Sequence, residues 1–69
     1  MKELLLSKGG KIWEKEGIER VYISLELFNE VTGLGYSLNE TKNKFYFDVK
    51  LNCICRRYKT GKPTIEKQF

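Results

Sequence analysis

Lys44-Phe45-Tyr46-Phe47-Asp48-Val49-Lys50-Leu51-Asn52-Cys53-Ile54-Cys55-Arg56-Arg57-Tyr58 is the stretch whose reading decides the fold. Phe45, Phe47, Val49, Leu51, Cys53 and Cys55 take alternate positions, with Tyr46, Asp48, Lys50, Asn52, Ile54 and Arg56 between them. Strict alternation marks a half-buried β-strand, with an apolar inner face and a mostly polar outer one. Both cysteines then lie on the inner face, and Lys42, Lys44 and Lys50 share the outer face with Arg56. Length limits this strand. Residues 44–58 fully extended would span about 50 Å, whereas a compact chain of 69 residues has a diameter of only about 28 Å. The strand must bend, bulge or break, most naturally near Asn52, or one end must project as an arm.

Upstream, Ser24 has the character of a helix N-cap, with Glu26 where the helix dipole favours an anion. Leu27, Phe28, Val31 and Leu34 then fall on one helical face, and Gly33 suits a left-handed C-terminal cap. A short helix over 25–32 is predicted, held by packing rather than by propensity. Before it, Lys11-Ile12-Trp13-Glu14-Lys15 and Arg20-Val21-Tyr22-Ile23 are rich in aromatic and β-branched residues. A short loop containing Gly17 separates them, so they read as a β-hairpin. Tyr36-Ser37-Leu38 reads as a brief strand and 39–43 as a polar turn. Downstream, Lys59-Thr60-Gly61-Lys62-Pro63 makes a turn, from which Thr64-Ile65-Glu66-Lys67 returns as an edge strand. The expected fold class is α+β: a small antiparallel sheet of four to five strands in β-β-α-β-β order, with one short covering helix.

The chain is a single domain over 1–69, and 41% hydrophobic with 13% aromatic residues argues against intrinsic disorder. A domain this small buries only about 60% of its unfolded surface, so its stability is marginal and homodimer formation is one way to raise it. No run approaches the ~20 apolar residues of a membrane span. Met1-Lys2-Glu3-Leu4-Leu5-Leu6-Ser7 lacks the longer apolar region of a secretory signal. A cytoplasmic location is expected, with Cys53 and Cys55 reduced: at i and i+2 on a strand their Cα atoms lie about 6.6 Å apart, near the upper limit for a disulfide.

The net charge of +4 is unevenly placed along the chain. Residues 1–55 balance eight cations against eight carboxylates, while 56–69 hold Arg56, Arg57, Lys59, Lys62 and Lys67 against Glu66 alone. This basic C-terminal segment, an arm or an edge hairpin, is the leading candidate for a site. Arg56, Arg57, Lys59 and Lys62 suit phosphates by charge, and Tyr58 among them can stack on a base. Lys44 and Lys50 extend the patch from the long strand. The bland alternative is a solvated strand end whose lysines block edge-to-edge pairing. Trp13, Tyr22 and Tyr46 are candidate interface aromatics; the alternative for the single tryptophan is a core anchor.

Chemistry is harder to find. Histidine is absent, which removes the commonest general base and metal ligand. Cys53 and Cys55 make half a zinc set, complete only if another subunit supplied two more ligands. The cluster Glu14, Glu16 and Glu19 fits a solvated hairpin turn, and Gly33-Leu34-Gly35 is too short for a phosphate loop. No catalytic residue, metal or cofactor is implied, and the chain is not expected to be an enzyme.

The tryptophan-glutamate-lysine turn at 13–15, with Arg20-Val21-Tyr22-Ile23 after it and Lys44-Phe45-Tyr46-Phe47-Asp48-Val49 later, resembles small uncharacterised proteins of prophages and mobile elements. The resemblance covers about a third of the chain and implies a phage-type accessory protein. The expected function is therefore a small binding protein acting on nucleic acid, or on nucleic-acid-handling machinery, through its basic C-terminal segment. Two alternatives stand beside it: a protein-binding inhibitor of a host defence nuclease, anti-CRISPR-like in role, and a structural homo-oligomer.

Overall fold

In the computed structural model, which describes residues 1–37, 43–59 and 61–69, the chain forms one five-stranded antiparallel sheet with two short helices on one face. The order is α1 (Lys2–Ser7), β1 (Lys11–Lys15), β2 (Ile18–Ile23), α2 (Leu25–Thr32), β3 (Lys44–Asp48), β4 (Cys53–Arg57) and β5 (Thr64–Gln68). The strands lie side by side in chain order. The Cα radius of gyration is 11.2 Å and the principal extents are 31 × 27 × 19 Å.

The long alternating stretch breaks in two, giving the sheet its fifth strand. Asp48 ends β3 and Cys53 opens β4, and the two residues are directly paired. The chain reverses over 49–52 because Asn52 takes a left-handed conformation at φ 55° and its N–H donates to the Asp48 carbonyl at 2.8 Å. The Asp48 carboxylate accepts from the Leu51 N–H at 3.0 Å. Paired residues share a face, and Cys53 lies an odd number of positions after Asp48, so the reversal inverts the alternation. Phe45 and Phe47 face the helices, but beyond the turn Ile54 and Arg56 face them instead. Cys53 and Cys55 are buried on the opposite face, which corrects the expectation that they line the inner face with the phenylalanines. Arg56 likewise shares no face with Lys44.

The first hairpin forms as expected, with β2 two residues longer because Glu16 and Gly17 alone make the turn. Both have positive φ, 53° and 83°, the two-residue geometry whose twist matches paired strands. Helix α2 also matches its reading. Ser24 Oγ accepts from the Leu27 N–H at 3.1 Å, and Gly33 closes the helix at φ 74°. Leu27 and Phe28 are buried against the sheet, with the Phe28 and Phe45 ring centroids 4.3 Å apart.

Helix α1 has no counterpart in the sequence reading, because six residues are too few to show a helical period. It buries Leu5 in the core with Val21, Phe28, Phe47 and Ile54. Gly10 allows the close return to β1: a Cβ there would lie 2.8 Å from both the Leu5 carbonyl oxygen and a Val21 methyl. Tyr36 and Ser37 form no strand; Leu38, and the expected polar turn except Asn43, lie outside the described residues. Instead the Asn29 side chain accepts from the Tyr36 N–H at 2.8 Å and donates to its carbonyl at 2.9 Å, which fixes the ring beside Phe28 and Phe45. Among the described residues no helix is long and apolar enough to cross a membrane.

Candidate functional site

Both helices pack on one face of the sheet, and among the described residues no helix covers the other. Strand pairing assigns residues to that open face. Trp13 pairs with Arg20, Lys11 with Tyr22 and Lys15 with Ile18. Arg20 in turn pairs with Asp48, and Tyr22 with Tyr46. Tyr46 pairs with Cys55, Asp48 with Cys53 and Lys44 with Arg57. The described strand residues of this face therefore include five cations, Lys11, Lys15, Arg20, Lys44 and Arg57, and one carboxylate, Asp48. The helix-side face is the acidic one: Glu14 and Glu19 pair there, and Glu66 reaches it to meet Arg56.

Arg20 organises the centre of the open face. Its guanidinium carbon lies 4.4 Å from the Tyr46 ring centroid and 5.2 Å from that of Trp13, and Nη1 donates to the Tyr22 hydroxyl at 3.4 Å. Arg20 Nε is buried with no hydrogen-bond partner among the described residues, so this charge is held largely by aromatic faces, a favourable arrangement where water is excluded. Trp13 meets Tyr22 edge-on at 6.3 Å, and Tyr22 tilts over Tyr46 at 5.4 Å. Tyr46 is 2% exposed and Trp13 37%. Of the three candidate aromatics, Tyr46 is thus the floor and Trp13 the accessible ring. Burial pushes the Tyr46 phenol up to about 12, with the neighbouring Cys55 adding to the effect. Burial also pushes the Cys55 thiol up to about 12, helped by Cys53, whose sulfur lies 3.6 Å away. The two cysteines are free thiols.

Two clefts open beside this cluster and meet at Lys44. One, of about 580 Å³, is lined by Trp13, Tyr22, Ile23, Leu25, Asn43 and Phe45 together with Ser24 and Lys44. The other, of about 330 Å³, is lined by Lys44, Arg57, Tyr58 and Lys59. Lys44 and Arg57 are like charges directly opposite each other, an unfavourable pairing unless an anion sits between them. Among the described residues neither is in an ion pair.

The basic C-terminal candidates therefore divide. Arg57, Tyr58 and Lys59 join Lys44 at one cleft. Arg56 leaves the group: its Nε donates to Glu66 at 2.6 Å, its Nη1 to Asn43 at 3.3 Å, and its guanidinium lies over the Tyr36 ring. Lys50 sits in the β3–β4 turn at a separate cleft shared with Glu16 and Leu51. Lys62 is exposed between β4 and β5, and Lys42 lies outside the described residues. Lys11, Lys15 and Arg20 were missed because they fall in the charge-balanced part of the chain. Their alternation with Trp13 and Tyr22 in the first hairpin was the available signal.

No family model, curated protein or solved structure matches the chain.

Proposed function

We propose that the chain is a non-enzymatic nucleic-acid-binding module whose contact surface is the helix-free face of its sheet, an accessory role of the kind the prophage resemblance implies. One observation carries the reading: among the described strand residues, five cations against a single carboxylate, arranged around an accessible tryptophan, on the face that no described helix covers. Cations spaced across a sheet meet successive phosphates, and aromatic rings among them stack on bases. Charge in this arrangement acts through counterion release, so affinity falls steeply with salt. Fluorescence anisotropy of labelled DNA and RNA oligonucleotides, titrated with the protein from about 50 mM salt upward, tests it. Salt-sensitive binding supports the reading; no binding to any oligonucleotide at the lowest salt rejects it.

A second reading, a protein-binding inhibitor, is favoured by Ile18 and Ile65, which are 46% and 55% exposed on the same face. Apolar residues beside cations suit an acidic protein surface. Recovery of one protein partner from nuclease-treated lysate, lost on changing Ile65→Glu, would favour it.

A further inference from the structure

Resting on the nucleic-acid reading, we propose that the open face selects single strands and seats one nucleotide across Lys44, with its base in the cleft beside Trp13 and its phosphate between Lys44 and Arg57. The two clefts differ in chemistry in the way the two parts of a nucleotide do. The larger, at the end of the sheet, is lined by the Trp13 and Tyr22 rings of the open face with Ile23, Ser24, Leu25 and Asn43 beside them, and its volume of about 580 Å³ falls within the usual range for small-ligand sites, about 300–1,000 Å³. The smaller offers Lys44, Arg57 and Lys59. They share Lys44, so an apolar group in one and an anion in the other would be held as neighbours.

The cleft beside Trp13 admits a base only when that base is unpaired. A duplex presents phosphates, but its base faces stay stacked inside, and only an unpaired base can be splayed onto an aromatic side chain. Arg20 lies over the Trp13 ring, which is still 37% exposed and lines the cleft a base would enter. The Arg20 stack and the edge-on contact with Tyr22 fix the tryptophan before binding, which lowers the entropy lost when a base docks. At the second cleft, an anion between Lys44 and Arg57 would turn a repulsive cross-strand pair into a bridged one.

The chain's single tryptophan supplies the readout. Oligothymidylate and oligouridylate of about 12 nucleotides, a length within one module's site-size range, and a duplex of the same length are titrated at fixed low salt, following Trp13 fluorescence and anisotropy together. Both single strands are expected to quench Trp13 and to bind about tenfold or more tightly than the duplex, which leaves the fluorescence unchanged. Trp13→Ala should abolish most of that preference, since stacking of one base accounts for roughly a tenfold affinity change. Its residual binding should keep the parent's salt dependence. Lys44→Ala with Arg57→Ala should lower the slope of log affinity against log salt by about 1.4 for single strands, two contacts at about 0.7 each, while melting no lower than the parent. Equal binding of duplex and single strands with no quench overturns this inference and leaves the nucleic-acid reading standing. Binding of neither overturns both, as does quenching produced only by an acidic polypeptide such as polyglutamate.

Discussion

Arg56 Nε lies 2.6 Å from a Glu66 carboxylate that also accepts from the Tyr36 hydroxyl at 2.8 Å, whereas the Arg57 side chain, one residue on, is exposed on the far face, with no ion pair among the described residues. The Arg56–Glu66 pair is partly buried, with 29% and 13% of the side chains exposed, so removing the guanidinium leaves a carboxylate in poor solvent. Arg56→Ala should therefore cost about 1–3 kcal/mol in urea unfolding, and Arg57→Ala no more than about 0.5 kcal/mol. Nucleic-acid affinity should respond in the reverse order. The Tyr36 phenol is raised by its bond to Glu66 and by burial, in the same direction as Tyr46 and Cys55. A raised phenol or thiol keeps its proton in the folded chain after the unfolded chain has lost it. The stability these groups contribute is complete below their ordinary values, 9.0 for Cys55 and 10.0 for Tyr46, and is lost as pH climbs toward about 12. Melting temperature should begin to fall near pH 9, and Cys55→Val, which removes the earliest titration, should delay the fall to near pH 10. An unchanged onset in that variant would mean Cys55 is not the group responsible.

The β3–β4 reversal decides which residues meet the helices, and it rests on Asn52. Beyond its φ of 55°, Asn52 donates through its side chain to the Phe69 carbonyl at 3.2 Å, and its own carbonyl accepts from the Phe69 N–H at 3.0 Å. The turn thus also anchors the end of β5. Asn52→Gly keeps the backbone conformation and loses only the exposed side-chain bond, so it should change stability by less than about 1 kcal/mol. Asn52→Val places a β-branched residue in the left-handed region and should cost about 1–3 kcal/mol, read as a lower urea midpoint at unchanged slope. Much of this element was legible beforehand: the length limit requires 44–58 to bend, bulge or break, or one end to project as an arm, and Asn52 is the residue suited to an interruption. The inversion of faces was not, because it depends on whether the turn pairs residues an odd or an even distance apart, which Val49-Lys50-Leu51-Asn52 does not specify. An apolar residue at every odd position, Cys53 and Cys55 included, made the uninverted reading self-consistent. Ile54 between the two cysteines was the one sign against it.

At the scale of the whole sheet, the charge of the described residues is sorted by face rather than by position along the sequence. Residues 56–69 carry the net +4 of the sequence, yet Arg56 is spent on Glu66, and Lys67 lies on the helix side, where its ammonium sits 5.7 Å from the Phe69 ring centroid. The open face instead draws Lys11, Lys15 and Arg20 from the charge-balanced residues 1–55, because β2 lies between β1 and β3. That adjacency is a property of strand order, so counting charges along the chain passes over it. Two double variants separate the descriptions. Lys11→Ala with Lys15→Ala and Lys8→Ala with Lys67→Ala each remove two positive charges, the first pair from the open face and the second from the helix side. Among the described residues Lys8 pairs with Glu30, an exposed contact of 3.3 Å, so its loss should cost under about 1 kcal/mol and leave the fold intact. If binding followed net charge, both variants would weaken it equally. On the face-sorted reading, the first should lower the salt slope on single strands by about 1.4 and the second should leave it near the parent's, because only cations that reach phosphates release counterions.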